Sequence, residues 1–356
     1  MAHMFIPGPV DVDPDVLQAQ TQPMLPHRSR EFEVLYRQVV EKTRPIFGTN
    51  GRIYITASSG TGLQEAAVRN FAHTRILCCI NGAFSKRWHA VAAANGKQAE
   101  ALEFEWAEPV NPSMVAQAVR QGQFEAVTIV HNETSTGMQN PVEEIAAAVY
   151  GVSPQTLVCV DAVSSLGGVK IEMDAWGIDF LLTSSQKCLA LPPGLGLGAV
   201  SDRALEFAAQ VPHRGWYFDL LRLEKHRLKD STPATPAISL IYALDRQMDR
   251  ILNEGLENRF SRHRMLANKV RDWALEHGFG LYAPEGFQSN TVTAVINRLM
   301  LDIDALNAFL QNRGMRIANG YGMLKNETFR IAHMGETQSD DIEKLLSAIN
   351  EFIGKR

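Results

Sequence analysis

A lysine does covalent chemistry most readily where its amine is shielded from water. Burial lowers the amine pKa and leaves a neutral nucleophile able to attack a carbonyl. Lys187 stands in such a place, within Thr183-Ser184-Ser185-Gln186-Lys187-Cys188. The apolar run Asp179–Thr183 directly before it reads as a buried strand. Pro192-Pro193-Gly194 then stiffens the exit into the next run. A lysine in a turn is ordinarily a solvated surface group, so the reading depends on what stands beside it.

Other polar segments follow apolar runs in the same way. Val158-Cys159-Val160 ends in Asp161, an acid suited to keeping a heterocyclic nitrogen protonated; an N-cap or ion-pair role is the plainer alternative. Ser58-Ser59-Gly60-Thr61-Gly62 precedes a helical pattern, and small residues before a helix expose N–H groups to an anion, although an N-capped turn has the same composition. Asn81-Gly82-Ala83-Phe84 offers a ring that would stack on a flat ligand or pack in a core. In His131-Asn132-Glu133-Thr134, Thr134 offers a hydroxyl for a ligand oxygen or for its own turn. Singly each has a bland explanation. Together they form an anion cradle, an aromatic, a hydroxyl, an acid and a lysine at successive strand ends.

The elements that must position them alternate. Arg75–Ile80, Gln98–Phe104, Ala126–His131, Thr156–Val160, Asp179–Thr183 and Leu195–Val200 have strand length and composition. Leu63–Ala72, Ser85–Ala94, Pro112–Gly122 and Val142–Val149 read as helices between them, with Asn111 and Asn140 as N-caps before early prolines. Alternation of this kind predicts an α/β fold with a mainly parallel sheet, whose ligands gather at the carboxyl ends of the strands. From Pro236 the rhythm changes to a long helical pattern broken at Gly255. Strands at Thr291–Ile296, Arg316–Ala318 and Thr328–Ala332 then mix with helices at Asp302–Arg313 and Ser339–Phe352, an α+β unit. The boundary falls near residues 245–260.

With 356 residues there is room for two domains, and a net charge of −4 gives no general attraction to nucleic acid or anionic membrane. The N-terminus lacks signal-peptide character, and no apolar run reaches the roughly 18–20 residues that span a bilayer. Cys78, Cys79, Cys159 and Cys188 have no zinc-ligand spacing and read as buried thiols of a reducing cytoplasm. No metal site is expected.

The set of segments resembles the class V, fold-type I aminotransferases that use pyridoxal 5'-phosphate (PLP), particularly the alanine/serine–glyoxylate group. The likeness runs from Pro7-Gly8-Pro9 to Phe329-Arg330-Ile331. Its most specific pieces are Ser185-Gln186-Lys187-Cys188 with Pro192-Pro193-Gly194, Asp161 with Ser165-Leu166-Gly167-Gly168, and His131 to Gly137. It implies a large, mainly parallel sheet domain over residues 21–250 and a smaller C-terminal α+β domain over 251–356, with residues 1–20 packing on the small one. It implies that Lys187 forms the Schiff base and Asp161 partners the pyridinium. Ser59, Gly60 and Thr61 would hold the phosphate with Gln186, Phe84 would stack on the ring, and Thr134 and Ser165 would also bind the cofactor. Arg330 would grip the substrate carboxylate, with Gly8, His27 and Arg28 in the substrate site. A homodimer with interface sites is implied, Thr232 or Thr235 reaching the neighbouring one.

The expected reaction is ping-pong transfer from alanine or serine to glyoxylate or pyruvate. Pro26-His27-Arg28 also resembles a phosphate-contacting pair of phosphoserine aminotransferases, so phosphoserine or aspartate with an oxo acid such as 2-oxoglutarate is the alternative. Desulfurases share the fold type but need a reactive cysteine on a mobile loop. A dinucleotide oxidoreductase would need a glycine fingerprint that is absent.

Overall fold

The structure, a computed structural model, describes residues 3–354; Met1, Ala2, Lys355 and Arg356, which fall within the expected ranges 1–20 and 251–356, lie outside the described residues. A seven-stranded sheet runs in the spatial order Arg52–Ala57, Leu195–Val200, Phe180–Ser184, Leu157–Asp161, Ala126–Val130, Arg75–Ile80, Gln98–Glu103. Its pairings are parallel except at Leu195–Val200, which is antiparallel to both neighbours. The inner strands Ala126–Val130, Leu157–Asp161 and Phe180–Ser184 are buried at every residue, as sheets covered by helices on both faces require.

Side-chain alternation divides these strands between two cores. Leu77, Cys79, Val127, Ile129, Val158 and Val160 enter one; Ile76, Cys78, Ala126, Val130, Leu157 and Cys159 enter the other. Adjacent Cys78 and Cys79 therefore face opposite sides of the sheet, and all four cysteines are free and buried.

The second sheet has five strands in the order His3–Phe5, Met315–Asn319, Thr328–Ala332, Val292–Ile296, Gly280–Leu281. The pairing of His3–Phe5 with Met315–Asn319 is parallel, and the others are antiparallel. Phe5 joins Leu266, Val295, Phe329, Leu345 and Ile349 in a separate core, to which the long helix Leu256–Glu276 and the C-terminal helix Ser339–Gly354 both contribute.

Several elements depart from the sequence expectations. The helix Arg30–Phe47 is not among the expected elements, although Phe32, Tyr36, Val39, Val40, Thr43 and Phe47 form its buried stripe and Ser29 caps it. Pro45 lies in its last turn and disguises the pattern. Asn140 is no side-chain N-cap: its Oδ1 accepts from Asn81 Nδ2 at 2.8 Å and from the Val110 amide at 2.9 Å, tying two loops together, while Pro141 precedes the helix Val142–Val152. Asn111 caps Pro112–Gly122 as expected, accepting from the Ser113 and Met114 amides.

Candidate active site

The strand Phe180–Ser184 ends at the carboxyl edge of the large sheet, and the turn after it projects Lys187 into a cavity of about 130 Å³. Ser185 holds that turn: its Oγ donates to Pro192 O at 2.7 Å and accepts from the Leu195 amide at 3.2 Å. Above the lysine lies the segment Pro7–Val10. The Val10 amide donates to Gln186 O at 3.2 Å, and Lys187 Nζ donates to Pro7 O. Burial, assisted by the nearby positive Arg330, pulls the lysine pKa down from 10.5 to about 8.

Asp161 closes the neighbouring strand and lines the same cavity. Its Oδ1 accepts from the Val163 amide at 2.8 Å and its Oδ2 from Gln64 Nε2 at 2.7 Å. Burial outweighs these bonds and raises its pKa to about 6. A buried carboxylate whose charge is only partly compensated favours a cationic ligand group, because such a group lowers the desolvation cost of its ionised form.

Across the cavity stands the N-terminus of the helix Gly60–Phe71, capped by Ser59, whose Oγ accepts from the Gly62 amide at 3.4 Å. Ser59, Gly60, Thr61 and Gln64 all line the cavity. Exposed first-turn amides and the helix dipole make this end a seat for an anion. Gly60 is required by close approach, since a Cβ there would stand 2.4 Å from Val163 Cγ2.

Phe84, Thr134 and Gln186 also line the cavity. Thr134 Oγ1 is 2.6 Å from Ser164 Oγ, and its carbonyl accepts from Arg330 Nη1 at 3.3 Å. Arg330, 7% exposed on the strand Thr328–Ala332, also donates from Nε to Asn319 O at 3.1 Å. Among the described residues it has no carboxylate partner, and burial lowers its pKa to about 10. An unpaired buried guanidinium is expensive unless an anion arrives. Tyr321 adjoins it, with the Arg330 Cζ 5.5 Å from the ring centroid, and packs 5.4 Å from the Phe84 ring.

Eight of the expected residues thus line one cavity: Ser59, Gly60, Thr61, Phe84, Thr134, Asp161, Gln186 and Lys187. Arg330 and Gly8 border it through Thr134 and Lys187. Ser165 is buried one layer behind, with its Oγ 3.0 Å from His131 Nδ1. Thr232 and Thr235 line a different cavity beside Tyr217, and Arg28 donates to Ser231 Oγ at 2.7 Å and Thr232 O at 2.5 Å, away from Lys187. His27 is half-buried in the loop before the helix Arg30–Phe47. The sequence reading missed Gln64, Arg87, Asn132, Val163, Ser164 and Ser184, which share the wall. Gln64 alone had a signal, four residues after Gly60 on one helix face.

The profile of the family described as Aminotransferase class-V matches residues 16–345. This chain belongs to the class V aminotransferases. It is 31% identical over 343 residues to the L-aspartate–glyoxylate aminotransferase of Paracoccus denitrificans, covering 93% of this chain and 86% of the relative. It is 32% identical over 349 residues to the serine–glyoxylate aminotransferase of Methylorubrum extorquens, covering 94% and 86%. Among solved structures, an alanine–glyoxylate aminotransferase from Nostoc sp. superposes with a TM-score of 0.93 at 27% identity, covering 99% of this chain and 95% of that one.

The class V aminotransferases are PLP-dependent transaminases acting on small amino and oxo acids, and the cavity of this one fits that cofactor. Gln64 Oε1, Asn132 Oδ1, Ser184 Oγ and Gln186 Oε1 are buried around it without hydrogen-bond partners. Each orphaned polar atom costs about 1–3 kcal/mol, which a polar ligand would relieve. Cys188, next to the lysine, points its Sγ at Ser164 O, 3.4 Å away, and burial pushes its thiol up to about 12, so it is no reactive thiolate. Among the described residues no helix is long and apolar enough to cross a membrane.

Proposed function

We propose that this aminotransferase moves the amino group of a small L-amino acid, alanine or serine, to glyoxylate or pyruvate in a ping-pong reaction anchored on Lys187. The observation that carries the reading is the grouping of Lys187 and Asp161 in one cavity beside a buried Arg330 that forms no ion pair among the described residues. Bound PLP would supply an aldehyde that takes up the amino group and a protonated ring that draws electrons from the substrate's Cα.

The chain's residues would do the rest. Ser59, Gly60 and Thr61 would hold the phosphate at the helix N-terminus, with Gln186 nearby. Asp161 would keep a negative charge at the ring nitrogen, and Phe84 would lie against the ring face. Arg330 would bind the substrate carboxylate with its remaining N–H donors, fixing which Cα bond is weakened. Lys187 Nζ, whose lowered pKa makes the neutral amine more accessible, would take the proton from Cα and deliver it to the adjacent cofactor carbon. Proximity contributes much of the acceleration, since the base is tethered beside both atoms.

The aspartate–glyoxylate and serine–glyoxylate relatives and the alanine–glyoxylate structure have glyoxylate in common and differ in the donor named. Glyoxylate as acceptor is therefore the better supported half. Aspartate as donor is the second reading, favoured by the Paracoccus relative. Phosphoserine rests on His27 and Arg28, and Arg28 is engaged with the turn at Ser231–Pro233 of its own chain. Buried Thr232 lies in that turn and exposed Thr235 just after it, and we assign one or the other to a second copy's phosphate site in a homodimer.

The test is a half-reaction panel. Alanine, serine, aspartate, glutamate and phosphoserine are each mixed with the PLP form, and conversion to the pyridoxamine form is followed by absorbance. Conversion by alanine or serine is the expected result. Reaction with phosphoserine and glutamate alone would replace the glyoxylate assignment. A protein that stays colourless after PLP addition would remove the whole mechanism.

A further inference from the structure

The helix Ala83–Ala94 carries Phe84 into the cavity, yet its own N-cap, Gly82, makes no side-chain cap bond. Its first amides are served from another segment. Glu133, fully buried in the short strand Asn132–Glu133 that follows Ala126–Val130, accepts from the Phe84 amide at 3.1 Å and the Ser85 amide at 3.0 Å. Ser135 Oγ accepts from the Ala83 amide at 3.1 Å and itself donates to Glu133 Oε1 at 2.6 Å. Ser85 Oγ and the Ser135 amide add bonds to the carboxyl group at 3.0 and 3.2 Å. Among the described residues no lysine or arginine forms an ion pair with it. The acid is held by N–H and O–H donors and the positive end of the helix, with the charge of Arg330 acting on it at longer range.

The fit is tight. A Cβ on Gly82 would stand 2.3 Å from Glu133 Cγ and 2.4 Å from Cδ, so glycine is what lets the carboxyl group reach the helix end. Between Glu133 and Ser135 sits Thr134, whose carbonyl meets Arg330. One buried acid thus ties the residue facing the cofactor ring to the loop facing the substrate clamp.

We propose that Glu133 is a positioning residue for the cofactor: by capping the helix Ala83–Ala94 from outside, it sets where the Phe84 ring stands in the PLP site. The inference rests on the reading that Phe84 lies against the PLP ring, and its test separates the two.

The experiment measures PLP dissociation from the holoenzyme by loss of the visible band, in wild type, Phe84→Leu, Glu133→Gln and the double variant, with Tm recorded for each. Phe84→Leu is expected to weaken PLP several-fold, the worth of one aromatic stack. Glu133→Gln places an amide donor against amide donors, displaces the ring and is expected to weaken PLP several-fold, by no more than Phe84→Leu does. In the Phe84→Leu background the same change should add less than about twofold, because the ring it positions is gone. Gly82→Ala, whose near-extended φ of 171° suits alanine, keeps the acid but crowds it out of the cap, and should reproduce Glu133→Gln. It also serves if Glu133→Gln does not fold.

Full additivity of the Glu133→Gln and Phe84→Leu losses overturns the positioning role and leaves the Phe84 reading intact. So does a lower Tm with unchanged PLP affinity in Glu133→Gln or Gly82→Ala. Unchanged PLP affinity in Phe84→Leu overturns both.

Discussion

Gly8 and Lys187 leave no room for a methyl group between them: a Cβ on Gly8 would stand 2.6 Å from Lys187 Cδ and 2.8 Å from Nζ. Gly8 also has φ +88°, where an L-residue is strained. Gly8→Ala should therefore push the amine off its position. The expected outcome is a fall of about 100-fold in turnover, the scale of a misplaced reactive group, with a weakened visible band at saturating PLP. Wild-type turnover in this variant would place the N-terminal segment outside the chemistry.

A second prediction concerns the lysine's own cost. Folding lowers its pKa from 10.5 to about 8, so between these values the folded chain binds fewer protons than the unfolded one. Stability then rises with pH across that window, and at pH 7, below both values, the buried charge costs about 3 kcal/mol. Lys187→Met should leave a colourless protein whose apo form melts several degrees above the wild-type apo form at pH 7. By pH 10 the difference should have largely closed. A Met variant less stable than wild-type apoprotein at pH 7 contradicts this account.

Asp161 runs the opposite way. Its folded pKa of about 6 lies above the ordinary 3.8, so the protonated form is favoured in the empty site and stability falls as pH rises from about 4 to about 6. A pyridinium partner favours the ionised carboxylate, so PLP affinity should weaken as pH falls below about 6. Titrations of Asp161→Asn should show weaker binding at neutral pH and lose that part of the pH dependence. Parallel curves for both proteins would assign the dependence to another group.

Arg330 should act on substrate rather than cofactor. Arg330→Leu removes a charged hydrogen-bonding group from a buried site, a loss of about 2–4 kcal/mol towards any α-carboxylate. The KM for the amino acid should rise roughly 100-fold, with PLP affinity changed much less and the apo Tm unchanged or higher. Equal losses in PLP and substrate binding would make Arg330 a cofactor residue.

Much of this site can be read in the chain because its members follow buried strands. Apolar runs such as Val158–Val160 are easy to recognise, and whatever polar residue comes next must lie at the sheet edge; Asp161, Thr134 and Lys187 are found that way. Arg52–Ala57 escapes although Ile53, Tyr54, Ile55 and Thr56 carry a strand's composition, because Asn50-Gly51 and Ser58-Ser59 make the stretch resemble one long turn. Arg87, inside a helix, and Tyr321, in a loop far along the chain, meet Phe84 only through tertiary packing that no local pattern encodes. Glu133 is hidden between Asn132 and Thr134 because an acid in a polar loop ordinarily faces water.

The strand His3–Phe5 has a consequence for how the protein is made. It pairs in parallel with Met315–Ile317, and the segment after it rests on Lys187. Residues 3–5 therefore find their partner only through a pairing of very long sequence separation. The large sheet's strands all lie within residues 52–200, whereas the segment covering Lys187 follows a strand that pairs with residues 315–317. Closure over Lys187 should therefore follow formation of the large sheet during folding.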